Sequence, residues 1–386
     1  RVGLSGPPAG SGTRAPFVPP VYPYDRLNDA KAAADALPGG IVDLSIGTPC
    51  DPPPQVVLDA LATSNTERGY PQSIGSPALR DAVAAWMDRR LGVSIAPSAV
   101  AACVGTKEFV GTLPQWLALR DPSRDTVLYP ELAYPTYEMG ATLAGCRAVP
   151  VPVNPDFTLR LDAISDDDAA RALCLWVNTP GNPAGQLDDL GAAAAWGRAQ
   201  GVPVFSDECY VEFTWDGPKR TILHHGTEGV VAVHSLSKRS NLAGLRVGFY
   251  AGDAELVHYL SEVRKHVGMM VPGPAQAAGA AALGDDAHVD AQAERYRHRL
   301  VRMAQILKAV DLDAHMPQGG FYLWAEAPSI SGDRGDAWRL VDRLAREGGC
   351  LITPGDTFGA AGERYVRVAV VQPDERIELV ARRLGI

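Results

Sequence analysis

Residues 230–249, with the sequence VVAVHSLSKRSNLAGLRVGF, place hydroxyl groups, a lysine and an arginine directly after an apolar run. Ser235 could donate a hydrogen bond to a phosphate, and Arg246 could hold the same anion with its guanidinium fork. If Lys238 is buried near Arg246, its pKa is lowered and its neutral amine becomes a nucleophile. A solvated loop lysine is the alternative for Lys238. The stretch therefore predicts either an anion site with a reactive amine or an ordinary surface turn.

Polar residues also follow two earlier apolar runs. Asp207 and Tyr210 follow VPVFS, and Asn182 lies in NTPGNPAG, which follows ALCLWV. A buried carboxylate at a strand end needs a cationic partner, and a protonated ring nitrogen would serve. Tyr210 and Asn182 could donate hydrogen bonds to a phenolate oxygen. The alternatives are a helix N-cap for Asp207 and a simple turn residue for Asn182.

A fourth polar group comes from GTKE, residues 105–108, between an apolar run and a helical pattern. The first turn of a helix has unpaired N–H groups and the positive end of the helix dipole, so Thr106 and Lys107 could bind phosphate. A plain helix start is the alternative. Together, a phosphate site, a carboxylate for a pyridinium, donors for a phenolate and a reactive amine fit one molecule, pyridoxal 5′-phosphate (PLP).

Short apolar runs that alternate with Ala-rich helical patterns must position these groups. Apolar strands alternating with helices predict an α/β fold, with a mostly parallel central sheet covered by helices on both faces. Ligands bind such sheets outside the carboxyl ends of the strands, which is where the four polar groups fall. The predicted strands are the runs at 100–105, 126–130, 147–153, 172–178, 202–207, 230–236 and 246–252.

The chain is predicted to form an arm and two domains. Residues 1–40 are rich in Gly and Pro at their start and are predicted to form an N-terminal arm, with one short helix, that packs against the small domain. Residues 41–272 hold the alternating pattern and form the large PLP-binding domain. Residues 273–386 mix helices and strands as a smaller α+β C-terminal domain.

Composition narrows the functional classes. The net charge of −9 argues against a nucleic-acid-binding surface, and no apolar run reaches the length of a membrane span. The six cysteines form no C-x-x-C pair and the histidines show no metal-ligand spacing, so we expect reduced thiols, no metal and a cytoplasmic location. No glycine-rich nucleotide-binding motif and no secretory signal pattern are found.

The motifs come in the order and with the spacing of a known family. Over roughly residues 40–375 the sequence resembles the class I/II aminotransferases of PLP fold type I. The resemblance implies a transaminase of that fold, with PLP as cofactor and a homodimer with shared active sites. The matching stretches are YPQSIGSPALRDAVA, GTKEFV, YPELAYPTY, NTPGNPAG, SDECY, HSLSKRSNLAGLRVG and YVRVAVV.

The resemblance also implies how the cofactor is held. Lys238 would bind the cofactor aldehyde covalently and move the substrate's Cα proton, and Asp207 would keep the ring nitrogen protonated. Tyr210 and Asn182 would bind the phenolate oxygen. The phosphate would be held by Ser235, Arg246, Thr106 and Lys107. Tyr134 would stack on the ring, with Tyr137 as the alternative.

Four residues would serve the substrate or a second subunit. Arg367 would grip the substrate α-carboxylate as a bidentate pair, and Gly47 would line the substrate pocket with its backbone, beside Asn182. Tyr70 would reach the phosphate of a neighbouring subunit, which implies the shared sites of a homodimer.

Within the family, the stretches SLSKRSNLAG, VRKHVGMMVPGP and YPYDRL are similar to actinobacterial N-succinyldiaminopimelate aminotransferases of lysine and cell-wall biosynthesis. The implied reaction transfers an amino group between N-succinyl-LL-2,6-diaminopimelate and 2-oxoglutarate. Arg264, Lys265 and Lys107 are candidates for a distal carboxylate, with solvated helix charges or packing at the phosphate turn as the alternative. The alternative functions are another amino donor (LL-diaminopimelate, acetylornithine, aromatic or kynurenine type), a fold-type-I β-lyase or related PLP enzyme, and a ligand-sensing module.

Overall fold

Strands and helices alternate through the part of the chain that the computed structural model describes, residues 16–329 and 336–386. The strands are β1 (Val42–Asp43), β2 (Val100–Cys103), β3 (Thr126–Pro130), β4 (Arg147–Val151), β5 (Ala172–Asn178), β6 (Val204–Asp207), β7 (Val230–Ser235), β8 (Gly248–Gly252), β9 (Tyr322–Glu326), β10 (Cys350–Leu351), β11 (Thr353–Pro354) and β12 (Tyr365–Ala369). The predicted arm begins at residue 1, and its residues 1–15 lie outside the described part.

The helices fall between these strands and at both ends of the described chain. They are α1 (Asn28–Asp35), α2 (Gln55–Ala62), α3 (Pro77–Trp86), α4 (Thr106–Arg120), α5 (Thr136–Leu143), α6 (Asp166–Arg171), α7 (Leu190–Gln200), α8 (Leu236–Arg239), α9 (Ala254–Val267), α10 (Gly273–Gly284), α11 (Ala287–Lys308), α12 (Asp336–Gly348) and α13 (Asp374–Arg383). No helix among the described residues combines the length and the apolar character needed to cross a membrane.

A seven-stranded sheet forms the centre of the fold, with the order β2-β8-β7-β6-β5-β3-β4. The strands β4, β3, β5, β6 and β7 pair in parallel, whereas β8 is antiparallel to both of its neighbours. This arrangement confirms the predicted mostly parallel α/β fold. Because the parallel strands share one direction, their carboxyl ends lie along one edge of the sheet.

Both faces of the sheet are covered, as the continuous apolar strands predict. Along β7, Val230 and Ala232 pack into one hydrophobic core, and Val231 and Val233 pack into the core on the opposite face. The two-residue period of a strand sends alternate side chains to opposite faces, so a fully apolar run fits only a sheet that is covered on both sides.

Local sequence signals fix the ends of the helices that cover the sheet. The side chain of Asp253 accepts hydrogen bonds from the first N–H groups of α9, at 3.0 Å from both Glu255 N and Leu256 N. The same helix ends at Gly268, whose φ of 79° lies in the left-handed region that favours glycine. An aspartate before the helix and a glycine after it therefore bound α9.

The C-terminal part contains a separate antiparallel sheet with the order β11-β12-β9. The helices α1 and α12 pack together, and β1 pairs in parallel with β10, so residues from both ends of the chain share this smaller core. Conversely, α10 contributes Ala275, Ala278 and Ala282 to a core of the large sheet. The predicted domain division stays a prediction. Just after its boundary at 41, β1 packs with the small core, and just after its boundary at 273, α10 packs with the large sheet. An amphipathic pattern shows which face a helix buries, but not the core that receives it.

Two helical glycines at the contact of α4 with α5 differ in the space around them. A Cβ added at Gly140 would lie 2.8 Å from the carbonyl oxygen of Val110, whereas one at Gly111 would meet only Thr136 Cγ2, at 3.6 Å. We expect Gly140→Ala to lower the free energy of unfolding by about 1–3 kcal/mol, because the two backbones must separate. Urea denaturation followed by circular dichroism measures the change.

The matched control is Gly111→Ala in the adjacent helix. Alanine favours a helix over glycine by about 1 kcal/mol, so this variant should be unchanged or more stable. Equal destabilisation by both substitutions would show that close backbone packing is not what requires glycine at position 140.

Candidate active site

The ends of the central strands open into one cavity of about 480 Å³. The residues Asn178, Asp207 and Ser235 end β5, β6 and β7, and the turn after β2 completes this edge. Apart from Tyr70, Arg264 and Lys265, the site residues predicted from the sequence line the cavity: Gly47, Thr106, Lys107, Tyr134, Tyr137, Asn182, Asp207, Tyr210, Ser235, Lys238, Arg246 and Arg367. Residues from distant parts of the chain therefore meet where parallel-sheet geometry predicts a ligand site.

Lys238 lies on the short helix α8, immediately after β7. The hydroxyl of Ser235 accepts a hydrogen bond from Ser237 N at 3.1 Å, which fixes the turn from strand to helix. The Lys238 amine donates to the carbonyl of Gly47. Burial lowers the pKa of Lys238 to about 8, and the nearby cations Arg367 and Arg246 act in the same direction. The neutral amine is thus accessible near physiological pH, as a nucleophile or general base requires.

The carboxylate of Asp207 is buried and hydrogen-bonded to neutral donors. It accepts from Cys209 N at 3.2 Å and from the Tyr137 hydroxyl at 2.8 Å. Within the described chain no cationic side chain forms an ion pair with it, and burial raises its pKa. A carboxylate held in this way fits a cationic partner that arrives with a ligand, such as a protonated ring nitrogen.

The two tyrosines considered for ring stacking have different surroundings. Tyr137 is fully buried, and its hydroxyl is bound to Asp207. Tyr134 is only partly buried on the cavity wall, with its ring edge-to-face against Tyr137. The geometry leaves Tyr134 as the proposed stacking residue and gives Tyr137 a contact with the carboxylate that the sequence did not predict.

The predicted phosphate turn depends on Gly105, which precedes α4. This glycine has a φ of 76°, and an added Cβ would lie 2.0 Å from Arg246 Nη2. Only glycine therefore lets the guanidinium approach the first turn of α4, where Thr106 begins the helix. Helix N–H groups, a hydroxyl and an arginine together form a donor set suited to a phosphate.

Lys107 points to the N-terminal arm. Its amine donates to the Tyr22 hydroxyl at 3.1 Å and lies 4.9 Å from the centre of the Tyr22 ring. Although burial opposes it, the phenol groups of Tyr134 and Tyr22 raise the pKa of Lys107 above its usual value. Lys107 is consequently a charged group at the cavity wall.

Arg367 is 1% exposed, and both of its terminal nitrogens donate hydrogen bonds. Its Nη1 donates to Asn182 Oδ1 at 2.7 Å, and its Nη2 donates to the Tyr24 hydroxyl at 3.3 Å and to the carbonyl of Ser45. Its Nε has no hydrogen-bond partner among the described groups. A buried guanidinium that lines a cavity and has an N–H without a partner suits an incoming carboxylate.

Three tyrosines at the cavity were not predicted from the sequence. Tyr22 and Tyr24 come from the arm, and Tyr322 comes from β9. In the sequence, Tyr322 lies in GGFYLW, a pattern typical of a buried strand, and the arm tyrosines lie in a proline-rich segment. Nothing local in either stretch indicates a ligand site, because their role arises only from the tertiary fold.

Three predicted candidates lie away from the cavity. Arg264 is buried in a two-bond ion pair with Glu108, with both N–O distances at 2.6 Å, and Lys265 is exposed beside Glu262. The structure therefore corrects the hypothesis that Arg264 or Lys265 binds a distal carboxylate. The guanidinium of Arg264 is already neutralised by Glu108, and the amine of Lys265 faces solvent. Tyr70 is 97% exposed, and its predicted contact with a second subunit stays a prediction.

Residues 40–384 match the family model described as Aminotransferase class I and II, which confirms the resemblance seen in the motifs. The chain belongs to this family of PLP-dependent enzymes and is a transaminase. It is 43% identical over 374 residues to the 4-dedimethylamino-4-oxo-anhydrotetracycline transaminase OxyQ of Streptomyces rimosus, covering 95% of this chain and 99% of that protein.

Two further comparisons cover almost the whole chain. A probable aminotransferase of Mycobacterium tuberculosis is 42% identical over 390 residues, with 99% of this chain and 88% of that protein covered. The solved structure of a probable N-succinyldiaminopimelate aminotransferase from Thermus thermophilus has a TM-score of 0.82 and 31% identity, covering 94% of this chain and 98% of that one.

The raised pKa of Asp207 predicts a pH effect on the protein without cofactor. Because the folded state binds the Asp207 proton more tightly than the unfolded state, the contribution of Asp207 to stability is greatest below about pH 4, the usual carboxyl value, and falls as the pH rises through the folded pKa. We expect Asp207→Asn to remove this decline and to weaken PLP binding. Urea unfolding of the cofactor-free proteins between pH 5 and 8 measures the first effect.

The control is Asp162→Asn, which changes a carboxylate that is 78% exposed. It should leave the pH dependence of stability unchanged. An Asp207→Asn protein whose stability follows the wild-type pH profile would disprove the assignment of that decline to Asp207.

Proposed function

We propose that this transaminase transfers an amino group between N-succinyl-LL-2,6-diaminopimelate and 2-oxoglutarate, in the lysine and diaminopimelate pathway. The observation that carries the proposal is the set of cations at the cavity: Lys238, Arg246, Arg367 and Lys107. The first three have roles toward the cofactor or the α-carboxylate, which leaves Lys107 for a distal carboxylate. Glutamate, 2-oxoglutarate and a succinylated amino acid each carry such a group. The likeness to the Thermus thermophilus protein supports the same substrate class.

The residues of the chain divide the work of the reaction. When bound, PLP supplies an electron-withdrawing ring that acidifies the Cα–H bond of an attached amino acid. Lys238 would supply the amine that holds the cofactor aldehyde and the base that moves the Cα proton. Asp207 would hold the ring nitrogen in its protonated form, and Tyr210 and Asn182 would donate to the ring oxygen. The amide nitrogen of Asn182 is available for this, because its oxygen already accepts from Arg367.

The phosphate of the cofactor would be held by Thr106, Ser235 and Arg246, with Tyr134 on the face of the ring. Gly47 would line the substrate side through its carbonyl, which accepts from Lys238. Arg367 would bind the α-carboxylate of the amino acid and of the 2-oxo acid alike. Because one buried guanidinium serves both substrates, they must use the site in turn, and we propose ping-pong kinetics.

We also propose a cytoplasmic homodimer. The exposure of Tyr70 leaves its side chain free to reach a second subunit, and the family's usual dimeric state supports shared sites. All six cysteines are free thiols, which suits a reducing compartment.

A second candidate rests on the relative from Streptomyces rimosus, whose name describes a transaminase of a 4-oxo-anhydrotetracycline. At 43% identity, its likeness to this chain favours an aminotransferase with a polycyclic ketone as acceptor. The two candidates share every cofactor contact and differ in the group that faces Lys107 and the arm tyrosines.

We expect Lys238→Ala to abolish the covalent absorbance of bound PLP and to lower the transamination rate by at least about 100-fold, the effect of losing a positioned base. Lys265→Ala is the matched control, because that lysine is exposed on α9 and lies away from the cavity. Near-native turnover by the Lys238→Ala protein would exclude Lys238 as the reactive amine.

An amino-donor screen with 2-oxoglutarate tests the substrate proposal. We expect the succinylated donor to exceed free LL-diaminopimelate by about tenfold or more in kcat/KM, with acetylornithine, kynurenine and aromatic donors lower still. A higher kcat/KM with any of these other donors contradicts the proposal. Activity only with a polycyclic ketone as acceptor supports the second candidate, and product formed without glutamate indicates a β-lyase.

The Lys107→Gln variant distinguishes a role of Lys107 at the distal carboxylate from a role at the cofactor phosphate. Loss of one charged hydrogen bond should lower kcat/KM for 2-oxoglutarate by about 10- to 100-fold, with little change for pyruvate, which has no distal carboxylate. An equal loss for both acceptors, with weaker PLP binding, would place Lys107 at the phosphate instead.

A further inference from the structure

Tyr322 lies between the cofactor side and the carboxylate side of the cavity. It begins β9, is 1% exposed and pairs with Ala369 of β12. Arg367, two residues before Ala369, is therefore its diagonal neighbour on the same face of the small sheet. From there the tyrosine reaches toward Tyr210, which follows β6 of the large sheet.

The ring of Tyr322 contacts the guanidinium of Arg367. The distance from Arg367 Cζ to the ring centre is 4.4 Å, and the ring of Phe358 lies against the same guanidinium at 4.6 Å. Attraction between a cation and an aromatic ring holds a guanidinium against the ring face. The two rings thus restrict the orientation of the guanidinium fork. A bidentate contact with a carboxylate requires such a fixed orientation.

The hydroxyl of Tyr322 makes a different contact, with the hydroxyl of Tyr210 at 2.7 Å. On another side it packs against Gly47, where an added Cβ would lie 2.0 Å from the hydroxyl oxygen. Within the described chain, Tyr210 is its hydrogen-bond partner, and a buried hydroxyl needs an acceptor for its hydrogen. If Tyr322 donates, the hydrogen of Tyr210 is free to point into the cavity.

We infer that Tyr322 is a positioning residue with two separable actions. Its hydroxyl donates to Tyr210 and so directs the hydrogen of Tyr210 toward the ring oxygen of the cofactor, and its ring orients Arg367 for the substrate carboxylate. This inference rests on the proposed roles of Tyr210 and Arg367. Chained hydrogen bonds strengthen one another, so the contact also makes Tyr210 a better donor.

Tyr322→Phe removes the hydroxyl and keeps the ring. A hydrogen bond to the ring oxygen favours its charged form, so a weaker bond makes the bound chromophore keep its proton to higher pH. We expect the midpoint of the pH-dependent absorbance change of the PLP-loaded protein to rise by about half a pH unit. The KM values for glutamate and 2-oxoglutarate should stay within about twofold, since the cation–ring contact is retained.

Tyr322→Leu removes the ring as well. We expect the same rise in midpoint, together with an increase of about fivefold in KM for every carboxylate substrate, the size of one lost cation–ring contact. Phe358→Leu is the matched control, because Phe358 supplies the second ring that contacts the guanidinium. It should raise KM without moving the midpoint, and it tests the ring contact even if the Tyr322→Leu protein does not fold.

Tyr210→Phe separates this inference from the proposed function. If Tyr210→Phe raises the midpoint and Tyr322→Phe adds nothing in the double variant, the hydroxyl contact acts through Tyr210, as we infer. A rise with Tyr210→Phe but none with Tyr322→Phe overturns the hydroxyl action alone. No rise with Tyr210→Phe overturns the role of Tyr210 and the inference together. Unchanged KM in both Tyr322→Leu and Phe358→Leu overturns the ring action.

Discussion

The register of three parallel strands is the constraint on which the site depends. Asn178 pairs with Asp207 across β5 and β6, and Asp207 pairs with Val233 across β6 and β7, so Ser235 and Lys238 follow just beyond the same edge. The side chain of Asn178 reinforces this alignment, since its amide donates to the carbonyl of Asp207 at 3.0 Å and its oxygen accepts from Asn182 N at 2.8 Å. If the register of β6 slipped by one residue, its side chains would exchange faces, and the carboxylate of Asp207 would point into a hydrophobic core.

Burial of charge is the second common theme of the cavity. Lys238 has a lowered pKa, Asp207 has a raised pKa, and the fork of Arg367 is sheltered from solvent without a carboxylate partner. The charged form of each group is less stable when it is buried than in water, unless a ligand supplies the opposite charge. The protein thus holds a set of charges that a cofactor with a phosphate and a basic ring nitrogen, and a substrate with a carboxylate, would complement.

The sequence indicated the location of the residues proposed for the cofactor more directly than the surroundings of those proposed for the substrate. Lys238, Asp207 and the turn at Gly105 each follow an apolar run, so a local pattern and the geometry of a parallel sheet place them together. The surroundings of Arg367 depend on contacts between distant segments, such as those with Tyr24 and Tyr322. The hypothesis for Arg264 failed for the same reason, because its partner Glu108 is 156 positions away in the chain. The packing of α10 was likewise decided by tertiary contacts.

The small core joins early and late segments of the sequence, and this has a consequence for protein synthesis. The strand β1 pairs with β10, and the hydroxyl of Thr353 donates to the carbonyl of Ser45, 308 positions earlier. A ribosome delivers the early segment long before its partners, so residues near Ser45 must wait until the segment around Thr353 has emerged. The large sheet has all seven of its strands much sooner. During translation, the pocket wall that holds Arg367 is therefore assembled after the strands of the large sheet have emerged.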